Sequence, residues 1–249
     1  MTAKVMVVTG AGRGIGAAIA GLAGERGYAV CVNYARSREA AEKLVAGINA
    51  GGGKAVAIQA DVSVDAEAKR LFAEVDRTLG KVDVLVNNAG IIGRQCRVDE
   101  MDAKLLADVF AANVYSVFYC TREALRRMST KHGGKGGAIV NISSVAARHG
   151  GLAMESHYAA SKGAIDSFTV GLAKEIGTEG VRVNAVRPGF IVTAIHEVHG
   201  GEATARAVGP TVPIGRVGQP AEVAEAVLWL ASDAASYMHG AIVDVSGGR

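Results

Sequence analysis

Short unbroken apolar runs recur along the chain, at Val5–Val8, Ala29–Val32, Ala55–Ile58, Val82–Val86, Ala138–Ile142, Val181–Val186 and Ala241–Val245. They are continuous rather than alternating, which is the pattern of parallel strands covered on both faces. Between them lie Gly14–Arg26, Arg38–Ala50, Val64–Leu79, Met101–Met128, His157–Ile176 and Ala221–Ala231, each with apolar residues at helical spacing. Seven strands with helical crossovers predict an α/β fold, a doubly wound seven-stranded parallel sheet with helices on both faces. No Pro-rich or Ser-rich linker interrupts the rhythm, so residues 1–249 read as one domain.

Residues 193–220 break the pattern with Gly200-Gly201, Gly209-Pro210, Pro213, Gly215 and Gly218-Gln219-Pro220. A long irregular insert in a compact domain is usually a lid or binding loop, or else disordered. This one starts just past the sixth strand, at the sheet edge where ligands bind in such folds. Its position therefore predicts a substrate loop rather than a plain surface loop.

Composition narrows the function classes. With 49% hydrophobic and 20% charged residues, the chain has material for a large core and is not disordered. A net charge of +3, spread without blocks, gives no footing for nucleic acid. No apolar run reaches the ~18 residues of a membrane span. The opening Met1–Gly10 reads as a first strand rather than a secretory leader. Three widely spaced cysteines without a CxxC argue against disulfides and a metal site, and suit the reducing cytoplasm. Cys31 and Cys120 fall in core patterns, whereas Cys96 sits in a loop near the candidate site with no base evident beside it.

The first strand runs into Thr9-Gly10-Ala11-Gly12-Arg13-Gly14-Ile15-Gly16, and a helix pattern follows. Glycines at 10, 14 and 16 permit a tight turn, close approach to a pyrophosphate and close helix-on-strand packing. The helix start that follows favours an anion. About 20 residues on, where an NAD site carries an acid for the ribose hydroxyls, the second strand ends Val32-Asn33-Tyr34-Ala35-Arg36-Ser37 with none. Arg36, with Arg13 in the glycine turn, suits a 2′-phosphate instead, so the expected cofactor is NADP(H) in preference to NAD(H).

Tyr158 and Lys162 stand four apart at a helix start, on one face. A tyrosine of ordinary pKa, ~10, exchanges protons poorly at neutral pH, and a neighbouring ammonium and an oxidised nicotinamide would both lower it.

These motifs, in this order, resemble the short-chain dehydrogenase/reductase family over essentially the full length. The resemblance extends to Asp61-Val62, Asn87-Asn88-Ala89-Gly90, Asn113, Asn141-Ile142-Ser143-Ser144 and Arg187-Pro188-Gly189. It implies a hydride exchange with a carbonyl or secondary alcohol, catalysed by Asn113, Ser144, Tyr158 and Lys162. Tyr158 would move the proton, Lys162 lower its pKa and hold the nicotinamide ribose, and Ser144 hold the substrate oxygen. Asn113 would kink its helix and anchor a water. The implied cofactor residues are Gly10, Gly12, Arg13, Gly14, Ile15, Gly16, Tyr34, Arg36, Ser37, Asp61, Val62, Asn88, Ala89, Gly90, Tyr158, Lys162, Pro188, Gly189, Ile191 and Thr193.

Ser144 and Tyr158 are fourteen residues apart, one more than the family's usual spacing, so Arg148–Glu155 reads as a loop carrying an insertion. His149, Met154 and His157 sit at its candidate substrate entrance, although solvated histidines are the plainer expectation. The resemblance is closest to glucose/ribitol-dehydrogenase-like proteins and 3-oxoacyl carrier-protein reductases. Carrier-protein reductases of this type tend to keep a basic residue where this chain has Glu179, which favours a small polar or medium-sized carbonyl substrate. A nucleotide sensor that has lost turnover is the rival reading, and the intact set of four disfavours it. Apolar residues on several sides of the long helices, among them Val114, Val117, Phe118, Phe168, Val170 and Leu172, together with the family resemblance, predict a homotetramer or homodimer. The carboxyl-terminal strand and Ser246–Arg249 would form a second interface.

Overall fold

The computed structural model describes residues 3–193 and 207–249. Its seven strands are β1 (Val5–Val8), β2 (Ala29–Tyr34), β3 (Lys54–Gln59), β4 (Val84–Asn87), β5 (Gly137–Ile142), β6 (Val181–Pro188) and β7 (Ile242–Val245). They form one sheet in the order β3-β2-β1-β4-β5-β6-β7, with every pair parallel. β1, β2 and β4 are buried at every position, as their unbroken apolar runs require.

The helices are α1 (Gly14–Glu25), α2 (Arg38–Ala50), α3 (Asp65–Thr78), α4 (Ala103–Phe110), α5 (Ser116–Met128), α6 (Ala146–His149), α7 (Ser156–Glu175) and α8 (Pro220–Ala231). On one face of the sheet α1, α2 and α8 bury Ile19, Ala23, Ile48, Val227 and Leu228. On the other, α3, α5 and α7 bury Leu71, Phe72, Cys120, Met128 and Leu172. Each fully buried large side chain contributes roughly 1.5–3 kcal/mol of transfer free energy, which drives the layering. Strand order reverses between β1 and β4, and this switch point opens a crevice at their carboxyl ends.

Several boundaries differ from the sequence reading. β4 starts at Val84 rather than Val82, because Asp83 meets Val5 instead. The Asp83 carboxylate accepts from the Val5 amide at 2.7 Å, and the Asp83 amide donates to the Val5 carbonyl at 2.9 Å. β2 continues past Val32 through Asn33 and Tyr34, because the Asn33 side chain is fully bonded.

The expected helix Met101–Met128 begins only at Ala103, where Asp102 caps α4 by accepting from the Leu105 amide at 2.7 Å. Between α4 and α5 the turn widens to a π segment, Ala111–Tyr115, which carries Asn113. Such single-turn bulges re-aim the side chains they hold. Of the irregular stretch expected at 193–220, residues 194–206 lie outside the described residues. Gly218 forms an isolated parallel bridge to Ile191, and α8 follows directly, with a Gln219/Glu222 capping box and Pro220 in its first turn.

Among the described residues no helix is long and apolar enough to cross a membrane.

Candidate active site

A cavity of about 650 Å³ opens at the carboxyl ends of the strands, across the switch point. Its lining includes every proposed cofactor residue except Gly16, and the proposed catalytic residues Ser144, Tyr158 and Lys162.

The floor of one end is the turn between β1 and α1. Gly10 has φ +61°, and a methyl group there would meet the Ala89 Cα at 2.9 Å, so neither the backbone nor the space admits a side chain. Gly16 lies behind the cavity wall rather than on it. A side chain at that position would strike Asn88 Nδ2 at 2.4 Å, so its part is close packing of α1. Thr9 Oγ1 accepts from the Asn88 and Ala89 amides, both at 3.0 Å, and Asn88 Nδ2 donates to the Thr9 and Gly10 carbonyls. These bonds lock the glycine turn to the end of β4.

Asn33 was missed in the sequence, and it completes the cradle. Its Oδ1 accepts from the Gly10 amide at 3.2 Å, while its Nδ2 donates to the Ile58 and Ala60 carbonyls. One buried amide thus fixes the ends of β1, β2 and β3. The available signal was a polar residue following four buried apolar ones. Asp61 accepts from both the amide and the hydroxyl of Ser63, which sets its carboxylate at the cavity rim.

Arg13 and Arg36 are both exposed on this end, and among the described residues neither pairs with a carboxylate. The stretch 33–37 carries no acid. The donor set therefore suits an anion beyond the one that the helix start and glycine turn can receive.

At the other end Ser144 ends the segment leaving β5, and Tyr158 and Lys162 project from the first turns of α7. Ser144 Oγ accepts from the Ala146 amide at 3.1 Å and shares the cavity wall with Tyr158. Burial pushes the Tyr158 phenol up to about 12, the Ser144 hydroxyl pulls it down, and the Glu155 charge adds to the rise. Lys162 is held down at about 8 by burial, against an opposing pull from the Asp166 charge.

The expectation that Lys162 lowers the Tyr158 pKa is not met within the protein alone. The ammonium donates to the Ile142 carbonyl at 2.8 Å and lies 5.9 Å from the Tyr158 ring centroid. Desolvation of the phenol outweighs an ammonium turned toward the main chain.

Asn113 does not line the cavity. It is fully buried and spans to Ile91, accepting from its amide at 2.7 Å and donating to its carbonyl at 2.8 Å. It also donates to Ser161 Oγ at 2.9 Å. The side chain thus ties the π segment to the loop after β4 and to α7. A methyl group at Gly90 would lie 2.9 Å from Asn113 Oδ1 and 3.5 Å from Lys162 Nζ, which shows how tightly these groups converge. Asn87 and Asn141 form a second brace, linked to each other at 2.9 Å and to Thr121 and Thr169.

The loop with the inserted residue turns through Gly150, Gly151 and Met154, all at positive φ. Met154 is exposed and off the cavity, and its carbonyl accepts from the Cys96 amide. His149 lines the cavity. His157 is neither a solvated residue nor a substrate contact: it is buried, with Nε2 at 3.0 Å from the Ile92 carbonyl. Cys96 is buried, donates its thiol to the Arg97 carbonyl, and does not line the cavity. Glu155, overlooked in the sequence, is a buried acid on the cavity wall and accepts from Gln95 Nε2 at 3.2 Å.

This fold, with a dinucleotide-sized crevice and a Ser-Tyr-Lys set beside it, defines an oxidoreductase architecture. A family model described as enoyl-(acyl carrier protein) reductase matches residues 10–249. The chain is 45% identical over 245 residues to the uncharacterized oxidoreductase YgfF of Escherichia coli, covering 98% of this chain and 99% of that one. It is 41% identical over 249 residues to a 3-oxoacyl-[acyl-carrier-protein] reductase of Synechocystis sp., covering 100% and 97%. A solved short-chain dehydrogenase/reductase from Serratia marcescens superposes with a TM-score of 0.90 at 34% identity, covering 99% and 98%. The chain belongs to the short-chain dehydrogenase/reductase family and is an oxidoreductase of that family, which uses NAD(P).

Proposed function

We propose that the protein is an NADP(H)-dependent enzyme that interconverts a small polar ketone, sugar or polyol carbonyl with its secondary alcohol. The observation that carries the reading is the convergence of Ser144, Tyr158 and Lys162 on one cavity wall. The cavity they line runs on to Arg13 and Arg36, neither of which pairs with a carboxylate among the described residues. The glycine cradle fits a pyrophosphate, and Arg13 and Arg36 fit a 2′-phosphate.

When bound, the reduced nicotinamide would supply the hydride. Ser144 orients the substrate oxygen and donates to it as negative charge builds there. Tyr158 delivers its phenolic proton to that oxygen as the carbonyl carbon accepts the hydride, and takes the proton back in the oxidative direction. Lys162 supports the resulting phenolate electrostatically, and Asn113 holds the loop and helix that frame it. Residues 193–220 would act as a substrate loop, and the cytoplasm is the compartment that three free thiols suit.

A second reading, reduction of a 3-oxoacyl thioester on a carrier protein, has support from relatives of that name. Against it stand Glu179, an acid held by a 2.5 Å hydrogen bond from Ser129 where a basic residue would dock an acidic carrier, and Glu155, a buried acid on the cavity wall. The two readings separate in a single panel. NADPH consumption with hydroxyketones and sugars but not with 3-oxoacyl thioesters supports the first. The reverse preference establishes the second.

A further inference from the structure

A string of charged groups runs behind the cavity and joins the helix that carries Lys162 to the turn that carries Ser144. It begins at Asp166, one turn beyond Lys162 and on the same face of α7. Asp166 is buried, and its Oδ2 accepts two bonds from Arg187 of β6, from Nε at 2.9 Å and from a terminal nitrogen at 2.8 Å. Arg187 also stands 3.6 Å from Asp244 of β7. Asp244 in turn pairs with Arg148 of α6 at 3.0 Å, and Arg148 donates to the Arg249 carbonyl at 2.6 Å. Arg148 lies four residues past Ser144 and one turn from it.

The far oxygen of the same carboxylate makes the arrangement more than a structural clamp. Asp166 Oδ1 is buried without a hydrogen-bond partner among the described residues. A single guanidinium engages only one of the two oxygens, so the carboxylate is left with charge that nearby groups feel. Lys162, one turn earlier on α7, is a buried cation on the same face of that helix.

The charged or titratable groups around Lys162 come from each packed element. They are Tyr158 and Asp166 on α7 and Glu155 just before it, with Arg187 of β6, Asp244 of β7 and Arg148 of α6 reached through Asp166. From β5 its ammonium meets the neutral Ile142 carbonyl and its main-chain carbonyl accepts from Ser143, while Asn113 of the π segment converges with it beside Gly90. Asp166 is the nearest acid on its own helix face.

We propose that Asp166 is a positioning residue that keeps Lys162 protonated, and that Arg187 sets how much of the Asp166 charge reaches the lysine. The role assigned to Lys162 rests on the oxidoreductase reading above, but the charge coupling does not. Removing the acid weakens the hold on the lysine proton. Removing the arginine exposes the acid and strengthens it. The two substitutions therefore act in opposite directions, which loss of a merely structural pair does not do.

The test is a titration of Lys162 by NMR on protein carrying ¹³C at lysine Cε, with the signal assigned by its loss in Lys162→Met. Asp166→Asn is expected to move the Lys162 titration down by roughly one pH unit. Arg187→Gln is expected to move it up, and Asp166→Glu to leave it near the wild-type position. If the protein turns over NADPH, the alkaline limb of kcat/KM follows the same order. Should Asp166→Asn fail to fold, Arg187→Gln decides alone, and an unmoved or lowered titration there overturns the proposal. An unmoved titration in a folded Asp166→Asn also overturns it. Because the NMR readout needs no substrate, a wild-type protein that lacks turnover but shows the opposed shifts refutes the enzymatic reading and upholds the coupling.

Discussion

The Lys162 ammonium donates to the carbonyl of Ile142, the last residue of β5, at 2.8 Å and makes no hydrogen bond to Tyr158. A buried cation is thus tied to the main chain beside the phenol it is meant to serve. Its charge, rather than direct contact, is what it offers.

That placement has a stability cost with a definite sign. Holding Lys162 near 8 instead of its ordinary 10.5 costs the fold about 3 kcal/mol at neutral pH. The unfolded chain binds this proton from pH 10.5 downward and the folded chain only from about 8. Stability present above pH 10.5 is therefore lost as pH falls toward 8. Lys162→Met removes that cost and gives up one hydrogen bond of ~1 kcal/mol. Its Tm at pH 7, read by calorimetry, is expected to rise by roughly 4–8 °C, while activity falls. A lowered Tm contradicts the assignment of the cost.

The same value fixes a pH dependence. In the reductive direction the enzyme needs the ammonium charged and the phenol protonated. With Lys162 at about 8 and Tyr158 at about 12, the lysine titrates first. Reductive kcat/KM is expected to hold steady up to neutral pH and to fall as pH rises through about 8. A limb appearing only above pH 10 would place the controlling proton elsewhere.

Arg13 and Arg36 are expected to set cofactor choice. Each charge-assisted contact to a 2′-phosphate is worth ~1.5–3 kcal/mol. Arg36→Ala is therefore expected to weaken NADPH binding by roughly 10–100-fold in a fluorescence titration and to leave NADH binding nearly unchanged. Equal losses for both cofactors would show that the residue does not read the phosphate.

Phe118 and Val170 are exposed on adjoining helices α5 and α7, with Leu106 and Tyr115 also exposed, and the Phe118 ring lies 4.2 Å from that of Phe168. Half of the expected interface set, Val114, Val117 and Leu172, proves instead to fill the protein's own core. The exposed remainder is the patch proposed to meet a second copy. Wild-type protein is expected to elute at a multiple of 25.5 kDa in gel filtration with light scattering, and Phe118→Glu to shift it toward the monomer. A wild-type monomer would contradict the oligomer.

The sheet was legible because parallel strands buried on both faces leave continuous apolar runs, and all seven were placed to within a few residues. The glycine turn and the Tyr158-Lys162 spacing were legible because each reflects a local constraint, a backbone approach or a helix face. Asn33, Gln95 and Glu155 were not, because their importance lies in contacts that fold from distant segments. The π segment at Asn113 left no mark in the apolar periodicity, which a one-residue widening barely disturbs, and only the family resemblance pointed to a kink there. His157 misled because it falls in the first turn of α7, just past the glycine-rich loop, and turns inward to reach the Ile92 carbonyl.

The central claim is that a proton held by Tyr158 accompanies hydride transfer from NADPH. It is tested most directly by following NADPH absorbance for wild type and Tyr158→Phe on any carbonyl that the wild type reduces. The account predicts a loss of about 10²–10⁴-fold in kcat, with NADPH affinity kept within a few-fold. Turnover by Tyr158→Phe at the wild-type rate would contradict it.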